Sequence, residues 1–177
     1  MHIGDGGSAA AAAAPAVQGP HARRDPSVPH VTDSIPGVGT ATPYGRDGDR
    51  SGLAMLRNSS AWIGIKRDNG ATRLVLQNNI TMDSSWNTTN TGGEAASTNV
   101  SGGRIWLRIN ADIHPGTGKQ ARFSYSTDGT NFTSFGPAFT MDNSWQFFMG
   151  YRYAIFNYAT AALGGSVKVN SFTLSTP

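Results

Sequence analysis

The chain has 177 residues, a formal net charge of +3, 22 glycines, 9 prolines and no cysteine. This composition, rich in Gly, Ser, Thr and Asn, favours an all-β fold and excludes a disulfide framework and a cysteine-based metal site. The basic residues are spread over separate segments and form no stripe, so we expect no nucleic-acid partner. No apolar run reaches the roughly 20 residues needed to span a bilayer, and we expect no membrane partner either.

The first 46 residues differ in composition from the rest. They hold an alanine run and then six prolines among glycines, without the apolar period of a strand or a helix. Such a segment buries too little apolar area to offset the entropy lost on ordering. We therefore predict disorder for residues 1–46 and a β-domain for residues 47–177. The alanine run is preceded by no Lys or Arg, so it is not a convincing signal peptide.

Strand signals begin after residue 47. Residues 52–57, 61–67 and 72–77 predict three strands, and Asn69 with Gly70 predicts a tight hairpin turn between the last two. The second strand alternates, so its isoleucines and its tryptophan (Trp62) point to opposite faces of a sheet.

A polar segment over residues 83–102 predicts a long loop with an isolated tryptophan, Trp86. Residues 104–113 then alternate cleanly, with the apolar side chains inward and Trp106 among the outward ones. Asp128 and Gly129 predict a second hairpin turn.

An aromatic-rich strand over residues 145–158 follows, and a closing strand over 166–174 changes its apolar parity near Asn170, which predicts a bulge. Short strands at this spacing, without helices between them, predict an antiparallel two-sheet β-sandwich.

Four segments, in this order, resemble one known family. They are Gly-Asp-Arg-Ser-Gly-Leu-Ala-Met (48–55), Ser-Ala-Trp-Ile-Gly-Ile (60–65), Phe-Ser-Tyr-Ser-Thr-Asp-Gly (123–129) and Trp-Gln-Phe-Phe-Met-Gly-Tyr-Arg-Tyr-Ala-Ile-Phe-Asn (145–157). Together they are similar to the C-terminal concanavalin-like β-sandwich of glycoside hydrolase family 43, the β-xylosidases and α-L-arabinofuranosidases, especially those of fungi. The resemblance implies a concanavalin-like jelly roll over roughly residues 47–175.

In that family a five-bladed β-propeller holds the catalytic carboxylates, and the sandwich packs against it and lends an aromatic side chain to the substrate pocket. Phe148 matches the region that supplies this side chain. The propeller is absent here, and residues 1–46 take the place of the first sandwich strands, so we expect a truncated domain with an open edge. The resemblance implies a non-catalytic accessory role in xylan metabolism, with xylo- or arabino-oligosaccharide as the ligand.

The residues themselves support the absence of catalysis. Glycoside hydrolysis normally needs two carboxylates that flank the scissile bond. The carboxylates here stand in turns, on an outward strand face or in the polar segment, as in Asp68, Asp112, Asp128 and Glu94. We therefore predict no catalytic residue.

Other kinds of site have little support. His114 stands at a strand end, and no Gly-x-Ser-x-Gly elbow accompanies it. A calcium site at Asp49, Asp83 or Asp142 stays open, but no compact Asp-x-Asp-x-Asp motif supports it. We predict no metal site and no cofactor.

Aromatic side chains are the better candidates for sugar contacts, because the C–H faces of sugars stack on flat rings. Four aromatic residues occupy strand positions whose parity is opposite to that of clearly apolar neighbours, so some of them should point away from the core: Trp62, Trp106, Tyr151 and Tyr153. The alternative is that these rings fill the second sheet or the surface that faces a propeller.

Two other functions stay open, a free-standing carbohydrate-binding module and a non-functional gene fragment. Five N-glycosylation sequons, which begin at Asn58, Asn79, Asn87, Asn99 and Asn131, favour an extracellular ancestry.

Overall fold

The computed structural model describes residues 31–39, 45–101, 103–112, 118–143 and 150–175. In this part of the chain there are twelve β-strands and no helix, so no helix here is long and apolar enough to cross a membrane. The strands are β1 (Val31–Gly39), β2 (Asp49–Leu56), β3 (Ser59–Asp68), β4 (Ala71–Met82), β5 (Thr88–Asn99), β6 (Ile105–Asp112), β7 (Gln120–Ser126), β8 (Thr133–Ser134), β9 (Phe139–Thr140), β10 (Arg152–Ala159), β11 (Lys168–Val169) and β12 (Thr173–Ser175). The all-β prediction is confirmed.

The strands pair antiparallel in two sheets. The five-stranded sheet has the order β10-β2-β3-β4-β5. The seven-stranded sheet has the order β11-β1-β6-β7-β8, with β12 also paired to β1 and β9 to β7. The inner faces of the two sheets share one apolar core, which confirms the predicted two-sheet β-sandwich.

The core follows from the period-2 alternation of the strands. In β6, buried and half-buried residues alternate without a break, and the buried ones are those predicted to face inward. Removing each such side chain from water stabilises the fold by about 1.5–3 kcal/mol. The largest fully buried residues of this core, from both sheets, are Leu53, Met55, Ile63, Leu74, Leu76, Leu107 and Ile109.

Both predicted hairpin turns are present. Asn69 and Gly70 have φ angles of 51° and 74°, as a turn with two left-handed residues requires. In the second turn, the buried hydroxyl of Ser126 accepts hydrogen bonds from the backbone N–H groups of Asp128 and Gly129. The Asp128 carboxylate accepts from the backbone N–H groups of the next residues, Thr130 and Asn131, at 2.8 Å each.

Two glycines let the central strands of the five-stranded sheet approach closely. Gly52 of β2 lies directly opposite Gly64 of β3. A Cβ atom on Gly52 would lie 2.3 Å from the carbonyl oxygen of Ile63, and one on Gly64 would lie 2.2 Å from that of Ser51. Any side chain at either position would force these strands apart.

Two segments differ from the prediction. Residues 83–102 were expected to form a loop, yet most of them form the twelve-residue strand β5. This strand lies at the edge of its sheet and most of its residues are exposed, although Ala95 and Ala96 pack against the core. Polar residues are common in edge strands because they discourage pairing with another chain.

The second difference is β1, which lies within the segment predicted to be disordered and pairs with β6. Pro36, which argued against a strand, falls where the register shifts by one residue between Ile35 and Val38. A bulge of this kind tolerates a residue that has no N–H group. The predicted bulge near Asn170 is not present. The ladder with β1 breaks between β11 and β12, but its register is the same on both sides, with Val169 opposite Val38 and Thr173 opposite Ser34.

Candidate functional site

The outer face of the five-stranded sheet carries a row of rings. Trp62 of β3 lies edge-on against Phe156 of β10, with the ring centroids 5.2 Å apart, and Phe156 lies 5.7 Å from Tyr158. Trp62 is only 6% exposed, so its indole packs in a small outer cluster and offers no open face to a ligand. Tyr158, at 47% exposed, is the accessible ring of this row.

Beside the rings, charged side chains cover the same face. Arg50 pairs with Asp68 at 2.7 Å, and Glu94 of β5 pairs with Lys66 at 2.5 Å and Arg73 at 2.8 Å. The hydrogen bonds from Arg73 and Lys66 lower the pKa of Glu94 to about 2. Every cation in this group has an acidic partner, so the group is a closed network.

The outer face of the seven-stranded sheet carries Trp106 of β6, which is half-buried. Its indole lies over the second hairpin turn, where a Cβ on Gly129 would come within 2.8 Å of a ring atom. The guanidinium of Arg104 lies 5.7 Å from the centre of the indole. Arg108 follows Trp106 by two positions in β6. Its guanidinium Cζ atom lies 3.4 Å from the ring centroid of Phe132.

Tyr151 and Tyr153 both pack partly against the main core. The Tyr151 hydroxyl accepts a hydrogen bond of 2.8 Å from the backbone N–H of Asp142, and burial raises its pKa. Arg57 donates to the carbonyl of Asp142 at 2.8 Å and lies 5.7 Å from the Tyr151 ring centroid. Tyr151 therefore belongs to a half-buried polar cluster at one end of the sandwich.

The predicted candidates do not form one site. Trp62 and Trp106 lie on the opposite outer faces of the sandwich, and the two tyrosines lie on the core side of β10. Phe148 lies outside the described residues. Sequence reasoning missed Tyr158 and the Arg108–Phe132 stack. The alternation of Ala154, Phe156 and Tyr158 is a sequence signal that could have predicted Tyr158. The Arg108–Phe132 stack joins distant parts of the chain, and no local sequence signal predicts it.

The described carboxylates occupy structural positions. The pKa values of Asp83 and Asp128 are lowered by hydrogen bonds from their own turns, and that of Glu94 by its ion pairs. A general acid of a glycosidase needs the opposite shift. Among the described residues, no group of three or more His, Cys, Asp or Glu could hold a metal ion.

Comparison with known proteins shows which family this sandwich is similar to. The sequence model of the beta-xylosidase C-terminal concanavalin A-like domain matches residues 43–175. A solved GH43 glycoside hydrolase, engineered to display both endo-xylanase and exo-arabinofuranosidase activity, is 37% identical over 84% of this chain and 30% of its own, with a TM-score of 0.76. A bifunctional GH43-CE protein of Bacteroides eggerthii is 26% identical over 84% of this chain and 18% of its own, with a TM-score of 0.72.

A functionally unknown protein from Saccharomyces cerevisiae, 16% identical over 85% of this chain and 71% of its own, shares the fold with a TM-score of 0.56. A search of curated proteins found no match. The chain spans less than a third of the length of the two GH43 structures. Because the family model covers the sandwich from β2 to β12, the chain belongs to the concanavalin A-like C-terminal domains of glycoside hydrolase family 43.

Proposed function

We propose that this chain is a non-catalytic accessory domain that packs against the catalytic propeller of a xylan- or arabinan-active glycosidase and shapes its substrate entrance. The observation that carries the proposal is the match of the family model to residues 43–175, which hold the sandwich strands from β2 to β12. The carboxylates agree with it, because those with a shifted pKa are held ionised and serve turns or ion pairs.

A domain exchange tests the accessory role. In the 37% identical glycosidase, the C-terminal sandwich is replaced by residues 31–177 of this chain, and turnover of arabinoxylan is compared with that of the same enzyme lacking any sandwich. We expect the hybrid to be soluble and to recover most of the lost activity. A hybrid no more active than the truncated enzyme contradicts the accessory role.

The non-catalytic part has its own test. The purified chain is incubated with aryl xyloside and aryl arabinofuranoside, and no turnover above background is expected. Turnover that disappears on an Asp→Asn or Glu→Gln substitution would overturn the proposal.

A second function, a carbohydrate-binding module that works without a propeller, is favoured by the exposure of Tyr158 beside Phe156. Titration with xylohexaose separates the two functions. Saturable binding that is lost in Tyr158→Ala, and kept in Leu163→Ala at an exposed turn position, supports the module. If no binding is found at millimolar sugar, only the structural role is supported.

We also propose that the protein is secreted. Two of the five sequon asparagines, Asn79 and Asn99, are exposed on strands of the five-stranded sheet. Expression in a eukaryotic secretory host should therefore give a product whose mass falls on treatment with an N-glycosidase. An unmodified product retained in the cell would contradict secretion.

A further inference from the structure

The outer face of the seven-stranded sheet holds three arginines for which the described residues supply no acidic partner. Arg104, Arg108 and Arg122 form no ion pair with any carboxylate in the described part of the chain, whereas Arg50, Lys66 and Arg73 on the opposite face each pair with a carboxylate. Asp112, the last outward residue of β6, lies opposite Gln120 and has contacts of its own. The face is therefore locally cationic, although the chain as a whole has a charge of only +3.

Two of these arginines are placed to act together. Arg108 lies opposite Ser124, and Asn110 lies opposite Arg122, so Arg108 and Arg122 are diagonal neighbours on one face of a strand pair. Diagonal neighbours lie about 7–8 Å apart, within the reach of two long side chains that converge on one group. Two adjacent guanidinium groups without an anion repel each other, so an anion between them relieves a local cost.

The Arg108 guanidinium is held flat. It stacks on the Phe132 ring at 3.4 Å, which covers one of its planar faces and leaves its N–H edges for a ligand. The Arg108 Nε is buried and has no hydrogen-bond partner among the described residues, and burial lowers the pKa of the guanidinium. A planar, pre-oriented guanidinium is the geometry that binds a carboxylate through two parallel hydrogen bonds.

Neutral groups next to these arginines fit a sugar. Within the described part of the chain, the buried Oδ1 atom of Asn110 has no hydrogen-bond partner, and Ser124 lies beside Arg108 on the same face. The half-buried Trp106 precedes Arg108 by two residues, a spacing of about 7 Å between alternate residues of a strand. A pyranose ring has about this size and presents hydroxyl groups and an apolar face together.

We infer that this face binds an acidic saccharide of the hexuronic acid class. Arg108 and Arg122 bind its carboxylate, Asn110 and Ser124 bind its hydroxyl groups, and Trp106 contacts the apolar side of the ring. The inference rests on the proposed function, since it takes the ligand from the carbohydrates proposed there. A nucleic-acid phosphate fits the face less well, because binding along a backbone needs a longer basic stripe.

Calorimetric titration of the full chain tests the site. The probe is xylotriose that carries one glucuronic acid branch, compared with its methyl ester, which removes the charge and adds one methyl group. The acid should bind at least about tenfold more tightly than the ester, as expected for a charge-assisted hydrogen-bond pair. Arg108→Gln and Arg122→Gln should each weaken binding of the acid by about the same factor and leave binding of the ester unchanged.

The matched control is Lys168→Gln, an exposed cation on β11 that should not affect binding. Circular dichroism confirms that each variant is folded. Equal binding of acid and ester, equal losses in Lys168→Gln and Arg108→Gln, or no binding of the acid at millimolar concentration overturns the inference. So does equally tight binding of a single-stranded oligonucleotide, which would indicate a general anion surface. The domain exchange measures turnover, whereas this titration measures binding. The accessory role and the acidic-saccharide site can therefore fail independently of each other.

Discussion

Glu94 shows how a single residue links three strands of this sandwich. The side chain extends from the edge strand β5 to Lys66 on β3 and Arg73 on β4. Its pKa in the folded protein is about 2, below the ordinary value of 4.5. A lowered folded pKa stabilises the protein above the unfolded value, and this stabilisation is lost as the pH falls from about 4.5 toward 2.

The Glu94→Gln variant should therefore lower the free energy of unfolding near neutral pH. Because the carboxylate is 31% exposed, solvent screening limits the loss to about 1 kcal/mol. Urea denaturation at pH 6.5 and pH 3 measures it, and the difference from the native chain should shrink at the lower pH. In about 1 M salt the difference at pH 6.5 should also shrink. A difference that is independent of both pH and salt would contradict the role of these ion pairs.

The aromatic residues mark the limit of reasoning from single residues. Parity along a strand shows which side chains share a face, and it placed Trp62 and Trp106 away from the inner core. It does not show what covers that face. Trp62 is buried because β10 brings Phe156 against it from a segment almost a hundred residues later.

At the scale of elements, the sequence predicted best the strands with a strict alternation and a defined turn. β6 and the turn at Asn69 and Gly70 belong to this kind, because local chemistry alone determines them. β5 and β1 were missed because their stability comes from neighbours. β5 consists mainly of Thr, Asn, Gly and Ala and is held by β4, while β1 contains Pro36 and is held between β6 and the closing strands.

The position of β1 gives a prediction. β1 joins β6 on one side to β11 and β12 on the other. Deletion of residues 1–40 removes both sets of ladder hydrogen bonds, so we expect a lower melting temperature and faster amide exchange in β6. A synthetic peptide of residues 31–40 should restore part of the stability, and a scrambled peptide should not. An unchanged melting temperature after the deletion would show that β1 contributes nothing.

At the scale of the whole molecule, the two outer faces differ in charge. On the five-stranded face Arg50, Lys66 and Arg73 each pair with a carboxylate, and on the seven-stranded face three arginines have no acidic partner among the described residues. The sequence alone does not predict this difference, since the basic residues look evenly scattered along the chain. Only the strand order brings Arg108 and Arg122 together and separates them from Glu94.

The edges of both sheets also expose apolar side chains. Ile155 on the edge strand β10 is 43% exposed, and Leu174 on β12 is 60% exposed. Open strand edges with apolar side chains pair readily with another chain. We therefore expect the isolated protein to self-associate as its concentration rises, which sedimentation velocity measures.

Ile155→Lys and Leu174→Lys should shift the protein toward the monomer, because a charge at an edge opposes pairing. Leu163→Lys is the matched control, since Leu163 is 83% exposed but lies in a turn, outside any described strand edge that could pair with another chain. If all three substitutions reduce association equally, general apolar exposure drives it and the strand edges do not. If only the edge variants reduce association, the strand edges drive it. The two open edges of this sandwich would then be available for contact with a partner domain in a longer protein.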